Sequence, residues 1–217
     1  MGFFNNIDNF FFGSLQNHYA RRLEKEVSGC ESLLDVGCGF QSPISYFSHK
    51  ISHTVGLDMY ESAIERSREA GIHKSYITGN VMELDSLFPE KSFDCVVASD
   101  LIEHLTKEDG HKLLEMMERI AVKKVVVYTP NGFLPQQEFD GNSLQVHISG
   151  WEIDEMRKLG FSVTGINGYR KLRGEFAAIK YKPKVFWGRI SLLSQIFTTK
   201  NPRNAFGILC VKHLQNS

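Results

Sequence analysis

Residues 33–42 decide the fold, and their sequence is Leu33-Leu34-Asp35-Val36-Gly37-Cys38-Gly39-Phe40-Gln41-Ser42. The apolar run from Ser32 to Val36 predicts a buried strand. Gly37 and Gly39 follow it, and glycines let the chain turn tightly and let a ligand approach the backbone. Ser42 and Pro43 have the residue types of a helix N-cap and a first helical position. This order predicts a nucleotide-type site at the carboxyl edge of a parallel sheet.

Two residues in this stretch bear on which nucleotide the site would take. Ser42 stands where the dinucleotide fingerprint G-x-G-x-x-G has its third glycine, so that fingerprint is incomplete. Asp35 precedes the glycine turn, and its carboxylate would repel a pyrophosphate ~4 Å away by roughly 4 kcal/mol at an effective dielectric of about 20. The same carboxylate would attract a ligand with an ammonium group. S-adenosylmethionine has an α-ammonium, a sulfonium and no phosphate.

The stretch from Leu33 to Gly39 resembles motif I of the class I S-adenosylmethionine-dependent methyltransferases. The resemblance extends from about Cys30 to Val163 and is closest to the broad type 11 / type 23 methyltransferase domain group. It implies an α/β fold, a Rossmann-like three-layer α-β-α sandwich. Its seven-stranded sheet would be mostly parallel, with an antiparallel last strand. The alternative is a glycine turn that binds no ligand.

The predicted cofactor site extends beyond the glycine turn. Asp58 ends a second predicted strand about 20 residues past the glycines, where an acid can accept hydrogen bonds from ribose hydroxyls. The resemblance implies that Met59 packs on adenine and that Asn80, which replaces the usual acid, meets the adenine amino group. The full set of predicted cofactor-binding residues is Asp35, Val36, Gly37, Cys38, Gly39, Asp58, Met59, Asn80, Val81, Ser99 and Asp100.

The candidate catalytic residues lie where later strands end. A fourth predicted strand, 92–98, is followed by a segment that resembles motif IV and the "EH" segment of the type 11 group. Four side chains at this sheet edge could act as a base: Asp100, His104, Tyr128 and His147. His147 is favoured because it ends a long loop and titrates near neutrality, and the predicted catalytic set is His147, Asp100 and His104. The alternative is a histidine that only caps the next helix.

The same region contains residue types that bind metals. Asp100, Glu103 and His104 lie on one helical turn, and with distant His147 they form a mixed carboxylate and imidazole set. The set resembles the metal site of some O-methyltransferases, including small-RNA 2′-O-methyltransferases and ubiquinone-pathway enzymes. The "EH" pair also occurs in many relatives without a metal, so no metal ligand is assigned from the sequence.

Composition limits the class of protein. A chain of 217 residues with 42% hydrophobic residues fits one globular domain, 1–217. A net charge of +0 argues against a general nucleic-acid binder. The four cysteines have no C-x-x-C pairing, which indicates reduced thiols in a cytoplasmic protein. We find neither a signal peptide nor an apolar run long enough to span a membrane.

Three segments surround the predicted core. The lead-in, 1–29, is aromatic and then helical, and either packs on the sheet or forms a flap over the site. The loop 131–147 leaves the same sheet edge as the site and is a candidate lid. The segment 168–203 mixes apolar and basic residues and predicts a helical insertion with a basic rim. Packing on the sheet is its default role, and a dimer face or contact with an anionic membrane surface are the alternatives.

The shorter predicted elements complete the chain. Helices are expected over 45–50, 61–70, 107–121 and 152–158, and further strands over 76–78, 125–130 and from 161. Residues 205–212 are expected to form the final, antiparallel strand.

The sequence as a whole predicts a methyltransferase that uses S-adenosylmethionine. The expected acceptor is a small molecule, a glycan or a lipid-linked compound, modified on oxygen, and no nucleic acid is expected to bind. Two alternatives remain: an NAD-dependent oxidoreductase, and a non-catalytic domain that binds S-adenosylmethionine. The oligomeric state cannot be predicted from the sequence.

Overall fold

A computed structural model describes residues 18–138 and 145–215. Its centre is one seven-stranded sheet with the order β3-β2-β1-β4-β5-β7-β6, in which only β7 is antiparallel to its neighbours. The strands are β1 Ser32–Val36, β2 His53–Asp58, β3 Ser75–Thr78, β4 Phe93–Ser99, β5 Ala121–Pro130, β6 Ser162–Tyr169 and β7 Ala205–His213. This is the sheet that the sequence predicts.

Helices cover both faces of the sheet. They are α1 His18–Val27, α2 Glu61–Glu69, α3 Leu84–Leu87, α4 Lys107–Ile120, α5 Ile153–Lys158 and α6 Lys184–Lys200. Successive residues of a strand point to opposite faces, so Leu33 packs in the core beneath α1 and Leu34 packs in the core beneath α4. The central strands are apolar on both faces for this reason, which explains why they were recognisable as continuous apolar runs.

The chain after the glycine turn departs from the expected helix over 45–50. Instead of that helix, the chain forms two short 3₁₀ turns, Pro43–Tyr46 and Ser48–Lys50. Ser42 caps the first turn, and its side chain accepts from the backbone N–H of Ile44 at 3.2 Å. Phe47 separates the turns with φ −144° and ψ 3°, outside the helical region, and its ring is buried. Burial of this aromatic side chain therefore interrupts the helix.

Two other boundaries differ from the sequence prediction. Strand β5 begins at Ala121, directly after α4, rather than at Val125. The segment 168–203 is helical only in α6, since β6 extends to Tyr169 and an irregular stretch with two 3₁₀ turns follows. Among the residues described, no helix combines the length and apolar character needed to cross a membrane.

Candidate active site

The glycine turn is held by strand β2. The backbone N–H groups of Gly37 and Cys38 both donate to the carbonyl of Leu57, at 2.8 and 3.0 Å. Gly37 has a φ of +68°, and a Cβ there would lie 2.7 Å from Cδ1 of Leu101. Gly39 has a φ of +54°, and its N–H donates to Oδ2 of Asp58 at 2.9 Å. The turn therefore needs glycines for their backbone conformation, and Asp58 fixes its shape.

Asp35 is buried behind this turn, with 1% of its surface exposed. Its Oδ2 accepts hydrogen bonds from the hydroxyl of Ser42 and from Nε2 of His73, the latter at 2.9 Å. A buried carboxylate needs such partners, because desolvation of an unpaired charge is costly. Neither partner was identified from the sequence.

A cavity of ≈ 870 Å³ opens at the carboxyl ends of β1, β2 and β4. Every residue predicted to bind the cofactor lines this cavity except Val36, whose side chain packs in the core instead. On the outer side, the guanidinium of Arg66 lies 3.5 Å above the ring centroid of Phe40, a cation–π contact that closes part of the wall.

The side chains of Asp58, at the end of β2, and of Asn80, after β3, already accept hydrogen bonds from backbone N–H groups. Oδ1 of Asp58 accepts from the N–H of Tyr60 at 2.9 Å, in addition to the bond from Gly39 to its other oxygen. Asn80 caps a 3₁₀ turn, with Oδ1 accepting from the N–H of Met82 at 3.0 Å. Its amide NH₂ has no such bond among the described residues and can donate into the cavity.

A second cavity of ≈ 330 Å³ adjoins the first. The two share the wall residues Asp100, His104, Gln145 and Phe176. The remaining lining residues of the second cavity include Tyr19, Tyr128, Pro130, Leu134, Gln136, His147, Asn167, Ala177 and Phe206. Two molecules, one bound in each cavity, would therefore come into contact near Asp100 and His104.

Two tyrosines form the wall between the second cavity and the core. The rings of Tyr19 and Tyr128 stack at 4.2 Å, and the hydroxyl of Tyr19 bonds to that of Ser99. Asn167 donates to the hydroxyl of Tyr128 at 2.6 Å. Burial, followed by the nearby Asp100 carboxyl, raises the pKa of both phenols well above the usual value. Both hydroxyls are therefore protonated at neutral pH.

Glu103, His104 and His147 form a compact cluster at the second cavity. One potential ligand atom from each lies within 4.8 Å of the others. Nδ1 of His104 donates to the carbonyl of Val146 at 3.2 Å, and Nδ1 of His147 donates to that of Leu134 at 2.7 Å. In neutral rings these bonds leave both Nε2 atoms with a free lone pair.

The acidic member of the cluster is almost fully buried. Oε2 of Glu103 accepts from the hydroxyl of Thr129 at 2.9 Å, whereas Oε1 has no donor among the described residues unless Asp100 is protonated, since the two carboxyls are in hydrogen-bond contact. The backbone carbonyl of Glu103 accepts from the N–H groups of Ile148 and Ser149. These bonds tie the end of the 131–147 segment to the cluster, so His147 is held near His104 by backbone geometry.

Burial shifts the acid–base properties of the whole cluster. Desolvation by the surrounding protein raises the pKa of Asp100 to about 7, against the lowering effect of a hydrogen bond with Glu103, although the residue is exposed to the cavities. It raises the pKa of Glu103 well above normal, and the neighbouring Asp100 carboxyl adds to the effect. It lowers the pKa of His104 to about 4 and also lowers the pKa of His147. The imidazoles are therefore neutral at pH 7.

Asp100 adopts a backbone conformation that is uncommon for residues other than glycine. Its φ is +49°, in the left-handed region, while its N–H donates to the carbonyl of Tyr128 at 2.9 Å. Strain of this kind is concentrated at functional sites, because the surrounding structure must hold it in place. The bond to β5 fixes Asp100 where the two cavities meet.

The structure brings together all three predicted catalytic residues, His147, Asp100 and His104. It adds side chains that sequence reasoning missed, of which Tyr19, His73 and Gln145 contact the site most directly. No spacing signal links them to the glycine turn. The candidate flap of the lead-in is described only from His18 onward, and residues 139–144 of the candidate lid lie outside the described residues.

Comparison with known proteins gives the class of this fold and site. Residues 34–128 match a family model described as a methyltransferase domain. A phosphoethanolamine N-methyltransferase of Plasmodium falciparum (isolate 3D7) is 30% identical over 93 residues, which is 42% of this chain and 35% of that enzyme. The matching region therefore spans about a third of the length of this curated relative.

Solved structures share the fold over nearly the whole chain. A SAM-dependent methyltransferase from Archaeoglobus fulgidus has a TM-score of 0.60 at 18% identity, covering 98% of this chain and all of that one. The magnesium protoporphyrin IX methyltransferase of Synechocystis PCC 6803, with bound SAH, has a TM-score of 0.55 at 12% identity, covering 94% of this chain and 85% of that one.

Residues 34–128 are therefore similar to a methyltransferase domain, and the chain as a whole has the fold of the solved methyltransferases. The family match favours a methyltransferase over an NAD-dependent oxidoreductase and agrees with the predicted cofactor.

Proposed function

We propose that the protein transfers the methyl group of S-adenosylmethionine to a hydroxyl of a small-molecule, glycan or lipid-linked acceptor, with residues 1–217 acting as one domain. One observation supports this most strongly: the cavity at the glycine turn adjoins a second cavity, and Asp100 and His104 belong to both. Methyl transfer is an in-line displacement, so donor and acceptor must be held face to face. Such positioning can supply about 7–11 kcal/mol of the barrier.

The larger cavity is assigned to the donor. Asp58 would accept hydrogen bonds from the ribose hydroxyls through the lone pairs that Gly39 and Tyr60 leave free. Met59 and Val81 would pack on adenine, and the amide NH₂ of Asn80 would donate to a ring nitrogen. The backbone of the glycine turn would lie against the methionine moiety, whose ammonium the Asp35 carboxylate would attract.

The smaller cavity is assigned to the acceptor. Its wall combines aromatic rings with the neutral imidazoles of His104 and His147, which suits an uncharged group carrying a hydroxyl. An acceptor oxygen near Asp100 would lie where the two cavities meet. The hydroxyl must lose its proton during transfer, and His147 is the candidate for taking it at Nε2.

The cluster also fits a divalent cation. The residues fit because the buried Oε1 of Glu103 has no hydrogen-bond donor among the described residues other than a protonated Asp100 carboxyl. Both imidazoles donate to carbonyls through Nδ1, which leaves Nε2 as the atom that could bind the ion. Glu103, His104 and His147 would hold the ion, and Asp100 lies next to them. A bound cation would lower the pKa of an acceptor hydroxyl. In that case His147 is a ligand rather than the base.

Calorimetry tests the donor site. We expect heat of binding with S-adenosylmethionine and with S-adenosylhomocysteine, and none with NAD. No heat with either the donor or its demethylated product would contradict the proposal. Binding without transfer to any acceptor would favour the non-catalytic alternative.

Transfer of an isotopically labelled methyl group tests the acceptor. Lipid, glycan and small-molecule fractions of a cell extract would be offered separately with ¹³C-methyl donor. The carbon shift of the product distinguishes a methoxy group from an N-methyl group, and a product labelled on nitrogen would contradict O-methylation.

We also propose a cytoplasmic location. All four cysteines, Cys30, Cys38, Cys95 and Cys210, are buried free thiols, as expected for a reducing compartment.

A further inference from the structure

Helix α6 is packed the opposite way round from an ordinary surface helix. Its buried residues are polar: Ser191, Gln195 and Thr198. Its strongly exposed residues include large apolar ones, among them Val185 at 69%, Ile196 at 67% and Phe197 at 60% exposure. A helix at the surface of a globular protein normally buries its apolar stripe.

The polar face is explained by the edge of the sheet. Strand β6 is an outer strand, so part of its backbone has no partner strand. Oε1 of Gln195 accepts from the N–H of Gly168 and its Nε2 donates to the carbonyl of Gly165, both at 2.9 Å. Ser194 accepts from the N–H of Tyr169 at 2.8 Å. The amide of Gln195 thus takes the place of a neighbouring strand.

The close approach of helix and strand fixes this orientation. A Cβ on Gly165 would lie 2.1 Å from the carbonyl oxygen of Thr198, and one on Gly168 would lie 2.1 Å from that of Ser191. The helix backbone is therefore in contact with β6, and rotation would break the bonds of Gln195. The apolar stripe is left facing outward as a consequence.

We call this outward stripe the α6 apolar face, and it consists of Val185, Phe186, Leu193, Ile196 and Phe197. The spacing of three, four, seven and eight residues places these side chains on one side of the helix. At the start of the helix, Trp187 packs against Phe186 and against the exposed Tyr181, both at 5.4 Å between ring centroids. Single exposed apolar residues are common, but a continuous stripe marks an interaction surface.

The charge around the face is of one sign. Residues 176–217 contain no aspartate or glutamate, while their basic residues are Lys180, Lys182, Lys184, Arg189, Lys200, Arg203 and Lys212. Arg203 pairs with Asp154 and Lys212 pairs with Glu118. Lys182, Lys184 and Lys200 are exposed and form no ion pair within 18–138 and 145–215.

We propose that the α6 apolar face and its flanking lysines dock on an anionic lipid bilayer. Aromatic and aliphatic side chains flanked by lysines match the interfacial helices that insert one face at the headgroup level. A second copy of this chain is a poorer occupant, because a two-fold interface would bring the same unpaired lysines together. Residues 1–17 contain one acid, Asp8, so they too offer little to balance these charges.

The docking surface is connected to the acceptor cavity. Arg173 donates from Nε to the hydroxyl of Ser191 on α6 at 3.0 Å, and from Nη1 to the carbonyl of Ala177 at 2.8 Å. Ala177 and its neighbour Phe176 line the second cavity. Because Ser191 lies on the buried side of α6, these bonds tie the cavity wall to the helix but do not place its mouth on the α6 apolar face. The membrane contact therefore does not depend on the proposed function.

Vesicle flotation of the full chain tests the contact without any activity assay. We expect binding to vesicles of phosphatidylcholine with phosphatidylglycerol, weaker binding to phosphatidylcholine alone, and a fall in binding as salt is added. A triple variant, Phe186→Ser with Ile196→Ser and Phe197→Ser, should bind at least about tenfold more weakly, because it loses three inserted side chains. Tyr46→Ser, equally exposed but distant in the chain, is the control and should bind as the parent does.

Charge reversal separates the two components of the surface. Lys182→Glu with Lys184→Glu should weaken binding to anionic vesicles and leave binding to neutral vesicles unchanged, while Lys25→Glu on α1 should change neither. Circular dichroism of each variant checks that it is folded. Three results would overturn the proposal: no binding to anionic vesicles, unaltered binding in the triple variant, or a dimer in light scattering that the triple variant dissociates. Stronger binding after deletion of residues 1–17 would instead identify that segment as the occupant.

Discussion

Nε2 of His73 donates to Oδ2 of Asp35 over 2.9 Å, and neither side chain reaches solvent. Because a carboxylate can only accept, the ring carries its hydrogen on Nε2, and Nδ1 has no partner among the described residues. This bond and the one from Ser42 orient the Asp35 carboxyl behind the glycine turn, at the back of the larger cavity.

The first prediction concerns the charge of Asp35. Asp35→Asn keeps an oxygen for Ser42 and His73 but removes the attraction for the donor's ammonium. We expect binding of S-adenosylmethionine and S-adenosylhomocysteine to weaken by roughly tenfold or more. A tenfold loss corresponds to about 1.4 kcal/mol, which is a small part of the attraction between a carboxylate and a nearby ammonium group. Calorimetry measures the change.

Two controls make this result specific. Methylthioadenosine lacks the amino-acid group, so it should bind the parent and Asp35→Asn equally. Asp94→Asn removes a carboxylate from the opposite end of the sheet, where it pairs with Lys123, and should leave donor binding unchanged. Equal loss of methylthioadenosine binding would mean that the substitution disturbs the glycine turn rather than the charge.

The second prediction concerns Asp58, which bonds to the glycine turn and faces the proposed ribose site. Asp58→Ala should weaken binding of both the donor and methylthioadenosine by roughly 10- to 100-fold, because hydrogen bonds to a charged group contribute about 1.5–3 kcal/mol each. Asp58→Asn retains one acceptor oxygen, so its affinity for both ligands should lie between those of the parent and Asp58→Ala. Asp85→Ala, which removes an exposed acid paired with Arg119, is the control. Unchanged affinity in Asp58→Ala would rule out a ribose contact.

The sequence was sufficient to predict the sheet and many of the residues that line the larger cavity. Strands β1 and β4 are apolar on both faces, so their runs stand out, and the glycine turn and Asp58 have fixed positions relative to β1 and β2. Such local patterns predict the structure reliably because burial requires the apolar runs and backbone geometry requires the glycines.

Other parts of the site could not be predicted, for two physical reasons. His73 and Tyr19 reach Asp35 and Ser99 across large separations in sequence, and no local pattern records such contacts. Helix α6 shows the second reason. Its apolar stripe predicts inward packing, but the unpaired backbone of β6 requires polar partners, and Gln195 supplies them. The requirement of the sheet edge outweighs the hydrophobic pattern of the helix.

The third prediction tests for a cation at Glu103, His104 and His147. The chain dialysed against Mn²⁺ should retain about one ion, since the three side chains and the carbonyl and hydroxyl groups that orient them are already in place. Glu103→Gln should weaken Mn²⁺ binding by at least about tenfold, because the amide replaces a charged oxygen ligand. Calorimetry with the metal alone gives this result without any acceptor.

The matched control is Glu90→Gln, an exposed acid outside both cavities, which should bind Mn²⁺ as the parent does. Chelation then separates the two roles of His147. If methyl transfer persists in chelator, the metal is not needed and His147 remains the candidate base. If Mn²⁺ binds the parent and Glu103→Gln alike, the cluster is not the metal site.

The fourth prediction compares two glycines inside helices. A Cβ on Gly110 in α4 would lie 2.3 Å from Cζ2 of Trp151, which is fully buried and donates from Nε1 to the carbonyl of Ile102 at 3.1 Å. Gly110→Ala should therefore lower the free energy of unfolding by about 1–3 kcal/mol through overpacking. Gly188 in α6 has open space around it, and Gly188→Ala should raise stability by up to about 1 kcal/mol.

Urea denaturation of the two variants measures both effects against the parent. The two variants also test what fixes the position of His147. Trp151 lies four residues after His147, and its bond to the carbonyl of Ile102 anchors this part of the chain next to Glu103. If Gly110→Ala displaces Trp151, Mn²⁺ affinity should fall together with stability, whereas Gly188→Ala should alter stability alone. A fully stable Gly110→Ala would mean that Trp151 can move without cost, and the anchoring of His147 would then have to come from the backbone bonds of Glu103 alone.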